Sequence, residues 1–373
     1  MLSRSSKIIS LSLTGILLMM LIWGCATPQA AAEATPMPTH TPTPSPAAAS
    51  ATPVKEPVEI EPPLSAWAAY WDTERVSSEL SLLSPGLKSV SAFSTLFHAD
   101  DTLYVPDQTA ELLAMMREQF ADTKDIYLTF VNDIALKDGS FSLKDVALLE
   151  RLFADEARMD AHIEEMIALA KEFECDGIEL DYEAMRKNST LWKPFAAFVG
   201  RLHAATQDAG LLCRVVLEPS ALGKAKYPEG PNYVLMCYNL YGSHSGPGPK
   251  ADIRFIKALA DESRDLSNRS FAFSTGGFDW DLNEKAAQLT EQEAAALGIA
   301  HGVAPERDEK SGALQFAYTA EDGTQHTVWY ADGETLAIWM RTAAEKGVSR
   351  FSLWRTGGNT EEALRAVLDA ARE

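Results

Sequence analysis

Eight short apolar runs alternate with helical patterns over residues 64–373, and no glycine-rich phosphate loop follows the first of them. That alternation predicts a (β/α)8 TIM barrel, since a doubly wound nucleotide-binding sheet would carry such a loop. A third observation is the fourth run, where residues 176–183 read Asp-Gly-Ile-Glu-Leu-Asp-Tyr-Glu. Glu179, Asp181 and Glu183 recur with period two, so in an extended strand they share one face, while Ile178, Leu180 and Tyr182 take the other. Such a strand either carries a site on its acidic face or is an exposed edge.

From the N-terminus, Arg4 and Lys7 precede an apolar run over 8–23 that ends at Gly24-Cys25. This is the pattern of a secretory signal. With Leu21 and Ile22 upstream it resembles a bacterial lipobox, which makes 1–24 the signal peptide and Cys25 the lipidated residue. An uncleaved anchor is the alternative, and both readings place the remainder outside the cytoplasm, held to the membrane by its N-terminus alone. Residues 25–63 read as a linker: 10 of the 19 prolines fall within 26–63, among Ala and Thr. Such a stretch cannot bury a core, and at ~3.1 Å per residue in polyproline II it reaches on the order of 100 Å.

The strand runs are 67–71, 89–97, 126–131, 177–182, 212–217, 233–240, 270–275 and 350–354. Met159, Ile163, Met166, Ile167 and Ala170 repeat at i, i+3, i+4 just before the acidic run and predict a helix. Residues 194–205 and 334–346 have the same character. The segment 281–327 is too long for a simple connection and, with Asp322-Gly323 between two apolar stretches, reads as a hairpin-bearing insertion between strands seven and eight.

The net charge of −20 argues against nucleic acid as a partner. Without Cys25 three cysteines remain, Cys175, Cys213 and Cys237; an odd number in apolar runs gives no disulfide framework, and buried free thiols are expected. The 7 histidines show no zinc-binding spacing, so neither a metal nor a cofactor is expected.

Barrel chemistry sits at the C-terminal ends of the strands, which singles out Glu183 as the last acid of its run. Same-face neighbours lie roughly 6.6 Å apart along a strand, so the three carboxylates should perturb one another and raise at least one pKa. A raised carboxyl is what protonating a glycosidic oxygen near neutral pH requires. Trp71, Glu218, Asp279 and Trp280 end other runs and are further candidates to line the site.

The octapeptide resembles the Asp-x-x-Asp-x-Asp-x-Glu signature of glycoside hydrolase family 18, the chitinase-like barrels, with Asp176, Asp181 and Glu183 in place and Glu179 where Asp is usual. Met236-Cys-Tyr-Asn239 is similar to the family's Met-x-Tyr-Asp element, with Asn239 for Asp. Phe351-Ser-Leu-Trp354 resembles its last strand. Phe278-Asp-Trp280, together with Tyr238-Asn-Leu-Tyr-Gly242 and the glycine–proline run after it, is similar to the spore-cortex and cell-wall lytic subgroup.

The resemblance implies a retaining glycosidase in which the substrate's own acetamido oxygen attacks C1. Carried over by position, Glu183 protonates the leaving oxygen and later activates water. Asp181 orients the acetamido N–H, and Tyr238 holds its carbonyl. Asp176, Glu179 and Asn239 belong to the sugar site, and Trp354 floors it. The implied partner is an amino-sugar polysaccharide, peptidoglycan first and chitin oligomers next, bound by a monomer. Because Glu179 and Asn239 depart from the pattern, a catalytically weak glycan-binding lipoprotein is the alternative.

Overall fold

A computed structural model describes residues 63–120, 124–283 and 285–373. The expected signal peptide, Cys25 and all of the expected linker except Pro63 lie outside these residues. Eight strands form the centre: β1 (Leu64–Ala69), β2 (Leu87–His98), β3 (Asp125–Ala135), β4 (Gly177–Asp181), β5 (Leu212–Leu217), β6 (Asn232–Met236), β7 (Arg269–Ser274) and β8 (Phe351–Trp354). Each pairs in parallel with the next, and β8 pairs with β1, which closes the barrel. The expected fold is the one observed.

Strand alternation divides the core into two regions. Outward residues such as Ala66, Val90, Leu128, Leu180, Val215, Leu235, Phe271 and Leu353 join one large cluster with the surrounding helices. Inward residues Trp67, Val216, Val234, Met236 and Ala272 form a smaller one inside the barrel, with Phe93, Tyr238 and Trp354 packed against it. The helix Glu156–Glu172 before β4 shows the predicted stripe: Met159, Ile163, Met166 and Ala170 are buried, and the Asp155 carboxylate caps it by accepting from the Arg158 N–H. Helices at Trp192–Ala209 and Gly333–Ala344 occupy the other two predicted positions. The β5–β6 connection holds a single 3-10 turn, Pro219–Ala221, in place of an α-helix.

Several predicted boundaries shift, the third strand among them, which runs on to Ala135. The first strand begins at Leu64, before the predicted residue 67. The sixth ends at Met236, because the ladder with β7 closes with Cys237 N–H donating to Ala272 O (2.8 Å). The rest of that apolar run leaves the sheet and carries Tyr238 over the C-terminal mouth.

The insertion between β7 and β8 is larger than the sequence suggested. It is a five-stranded antiparallel sheet running from Gly276–Asp281 to Gln325–Ala331, with a helix at Glu291–Ala300. The predicted hairpin is present, Leu314–Thr319 pairing with Gln325–Ala331. Gly276 (φ +64°) and Gly277 turn the chain out of β7 directly into this sheet; a Cβ on Gly277 would lie 1.8 Å from Trp329 O. The three cysteines are free and buried, as expected.

Candidate active site

Glu183, two residues past the end of β4, is held by its backbone. Asn132, at the end of β3, accepts from the Glu183 N–H through Oδ1 (2.9 Å) and donates through Nδ2 to Glu183 O (3.2 Å). The next residue, Ala184, adopts a left-handed φ of +65°, and its N–H donates to Glu218 Oε2 (2.8 Å) at the end of β5. Left-handed backbone costs a residue with a Cβ about 1–2 kcal/mol, so this turn is retained because neighbouring side chains impose it. Glu218 is itself fixed by Arg186 Nη1 at 2.6 Å.

The Glu183 carboxylate contacts Lys144 Nζ at 2.5 Å. Lys144 is also left-handed, at φ +54°, with its N–H donating to Asp133 Oδ1 (2.7 Å). Burial raises the Glu183 pKa; the Lys144 ammonium opposes the rise and the charges of Glu218 and Asp133 reinforce it, leaving the carboxyl above its ordinary range. Asp181 is raised well above its ordinary value, first by burial and then by the charges of Glu183 and Glu179. Its Oδ1 is buried with no hydrogen-bond partner. A buried polar atom left unpaired is costly, so this oxygen has its accepting capacity unused.

Tyr238 sits above these acids. Burial pushes its hydroxyl well up, and the Asp181, Glu183, Glu179 and Glu218 charges add to the effect. Trp354, ending β8, meets Trp67 and Phe93 edge-on, with ring centroids 5.6 and 4.9 Å away. Trp71, just past β1, is 51% exposed and meets Phe93 edge-on, with the Arg355 guanidinium 5.6 Å from its ring centre. One end of the barrel therefore gathers a raised carboxyl, a second buried acid with a free oxygen, a tyrosine and an aromatic floor. A cavity of about 1100 Å³, lined by Ser65, Tyr127, Arg214 and Asn232, lies at the opposite end. None of Asp181, Glu183 and Glu218 borders it.

No family model matches the chain. A cortical fragment-lytic enzyme of Bacillus cereus is 22% identical over 295 residues, covering 74% of this chain. The uncharacterized glycosylase YvbX of Bacillus subtilis (strain 168) is 22% identical over 240 residues, covering 60% of this chain and 69% of that protein. The chain spans 66% of the length of the cortical fragment-lytic enzymes it matches. The spore cortex-lytic enzyme SleL of Bacillus cereus superposes with a TM-score of 0.68 at 19% identity, over 82% of this chain and 74% of that one. A chitinase of Chromobacterium violaceum does so with a TM-score of 0.68 at 18% identity, over 83% and 99%. These relatives, the closed barrel and the acidic fourth strand agree. The chain shares the barrel fold of these lytic enzymes and chitinases.

Within the family 18 pattern, the structure brings Glu183, Asp181, Tyr238 and Trp354 together, with Trp71 at the rim. Asn239 is exposed beside them, its Nδ2 3.3 Å from Met236 Sδ. Five calls need correction. Asp176 is at the wrong end: it precedes β4, is exposed, and accepts from the Ile126 N–H (2.8 Å), tying β4 to β3. Glu179 cannot touch a sugar, because it is 0% exposed inside the barrel. It accepts from Trp67 Nε1, Ser91 Oγ (3.1 Å) and Thr129 Oγ1 (2.7 Å), and Arg214 Nε lies 2.6 Å away in an ion contact without hydrogen-bond alignment. The family 18 departure at this position thus points down to Arg214 and leaves Asp181 Oδ1 unpartnered. Trp280 is 1% exposed within the insertion sheet, donating to Ser245 O (3.0 Å), and offers no face to a ligand. Glu218 stands at the right end, but its oxygens are taken by Ala184 N–H and Arg186, so it shapes the Glu183 turn. Asp279 is likewise occupied, by Tyr318 Oη (2.7 Å) and His326 Nδ1 (3.0 Å).

Sequence reasoning missed Asn132, Asp133, Lys144 and Arg214. The first two carried a signal, a polar pair ending the apolar run of the third strand.

Proposed function

We propose that the protein is a retaining, substrate-assisted glycosidase that hydrolyses β-1,4 bonds beside N-acetylated amino sugars. The observation that carries this reading is the pairing of a carboxyl raised by burial, Glu183, with a buried second acid, Asp181, whose Oδ1 has no protein partner. Glu183 protonates the leaving oxygen and then deprotonates water. Asp181 takes the acetamido N–H, while the Tyr238 hydroxyl donates to the acetamido carbonyl, turning its oxygen toward C1. The charge developing on the acetamido nitrogen is stabilised by Asp181 once that acid ionises. Trp354 offers an aromatic plane to the apolar face of the ring. This scheme needs no metal and no cofactor.

Peptidoglycan is the favoured polymer and chitin oligomers come second. The relatives' names refer to lysis of cortical fragments, and the N-terminal sequence fits a lipoprotein held outside the cytoplasm at the end of a long tether. We place it there as a monomer. The ion pair between Lys144 and Glu183 favours a second reading, a glycan-binding lipoprotein with weak turnover. Wild type and Glu183→Gln are incubated with N-acetylglucosamine oligomers and with purified peptidoglycan, and reducing ends are counted. Release by wild type alone supports the glycosidase; no release from either polymer by wild type rejects it.

A further inference from the structure

The reading above leaves Lys144 without a task, although it makes the shortest contact to the proposed donor. We propose that Lys144 is a substrate-displaced latch: it pairs with Glu183 in the free protein and leaves when a sugar enters, and its departure loads the donor with a proton. This inference rests on the role of Glu183 as acid.

Three observations carry it. The first is placement. The Lys144 side chain is 46% exposed and that of Glu183 12%, so the lysine stands on the solvent side of the carboxylate. A glycosidic oxygen must come within about 2.6–3.2 Å of the donor, and it must approach from that side. Ammonium and glycosidic oxygen therefore compete for one place.

The second is the backbone. Lys144 N–H is tied to Asp133, Asp145 N–H donates to Asn132 O (2.7 Å), and Asn132 Nδ2 donates to Asp145 O (3.3 Å). Asn132 is the same residue that clamps Glu183. Two left-handed residues with side chains, Lys144 and Ala184, thus flank the donor, each held by a carboxylate of its own. The main chain is fixed on both sides, while the lysine stem keeps its rotamers. The side chain can swing off without rebuilding the loop.

The third is the charge left behind. Glu183 faces Asp133 from the end of β3, Asp181 on its own strand, Glu218 from the end of β5 and Tyr238 from beyond β6. Arg186 is engaged with Glu218. With Lys144 gone, the charged groups nearest the carboxylate are acids, which favour a proton on it. Solvent supplies that proton, and Glu183 passes it to the leaving oxygen. The free protein keeps the acid discharged; binding arms it.

The test is calorimetric titration of tetra-N-acetylchitotetraose at pH 7.5 and 10 °C in buffers of different ionisation enthalpy, for wild type, Lys144→Met and Lys144→Arg. Wild type and the arginine variant should take up a fraction of a proton on binding, up to one, and the methionine variant measurably less. In turnover, Lys144→Met should move the basic limb of kcat/KM to higher pH, leave that of kcat in place, and raise kcat/KM about fivefold above pH 8, the size expected for losing a half-exposed pair. Equal uptake in wild type and Lys144→Met, or a shift of both limbs together, overturns the latch and leaves the glycosidase reading intact. Uptake that depends on Lys144 without any release of reducing ends keeps the latch and rejects the glycosidase.

Discussion

Replacing Arg214 by Met should destabilise the barrel from inside, and adding Glu179→Gln should restore much of what is lost. Arg214 and Glu179 are 6% and 0% exposed in their side chains, with Nε and Oε2 2.6 Å apart. Removing the cation leaves a carboxylate sealed in the core with hydroxyl and indole donors but no countercharge. Breaking a buried pair from one side costs about 3–5 kcal/mol. Losing the bonds from Arg214 Nη1 to Ser89 Oγ (3.2 Å) and from Nη2 to Ser352 Oγ (3.0 Å) adds little, since Ser352 keeps its 2.8 Å contact with Ser65 Oγ. A neutral glutamine at 179 still accepts from Trp67 and Thr129 and removes the stranded charge. The double variant should therefore recover at least about 2 kcal/mol relative to Arg214→Met alone, on the scale of coupling between residues in contact. Urea denaturation followed by far-ultraviolet circular dichroism and by tryptophan fluorescence measures this, provided the two transitions coincide. The account is refuted if Arg214→Met costs under about 1 kcal/mol, or if Glu179→Gln destabilises it further.

Other outcomes follow from the site. Glu183→Gln should lower kcat by at least about 10²-fold at every pH, with oligomer affinity by calorimetry within a few-fold of wild type. Glu218→Gln, which weakens the grip on Ala184 N–H and Arg186, should lower kcat more than it raises KM in reducing-end assays. Asp181→Asn has a pH signature in stability. The folded pKa of Asp181 is raised, so its contribution is fully present below the unfolded value of 3.8 and is lost as pH rises through the folded one. The asparagine variant should gain in urea midpoint over wild type at pH 8 and not at pH 3.5, while losing turnover. Trp354→Ala should weaken binding of tetra-N-acetylchitotetraose by about tenfold, or ~1.4 kcal/mol, by calorimetry.

The acidic strand shows which half of such a site can be read from sequence. Period two is a property of the backbone, so the common face of Glu179, Asp181 and Glu183 was legible, as was the alternation of strands and helices that fixes which strand end carries chemistry. Depth along the barrel axis was not legible, because it depends on tilt and register with strands distant in sequence. Successive inward residues differ by about 6.6 Å in height. That step separates Glu179, sealed against Trp67 and Arg214, from Asp181 with its buried, unpartnered oxygen, and Asp181 from Glu183 at the mouth. The same blindness put Asp176 in the site and counted Trp280 as a binding surface, since neither the strand's direction of travel nor the cover supplied by the insertion sheet shows in local pattern.

Lys144 lay further out of reach. It follows a short hairpin, Phe141–Ser142 with β3, in an unremarkable polar loop, and reaches Glu183 because Asn132 and Asp133 fold that loop back. A sequence shows three acids that must disturb one another; it does not show the cation that settles which of them is charged. In a site whose chemistry turns on one proton, that missing charge decides whether the resting protein is armed. Titrating the Glu183 carboxyl by carbon NMR in wild type and Lys144→Met gives the answer directly. An upward move in the variant means the lysine sets the resting state. Coincident curves mean that burial and the neighbouring acids set it without Lys144.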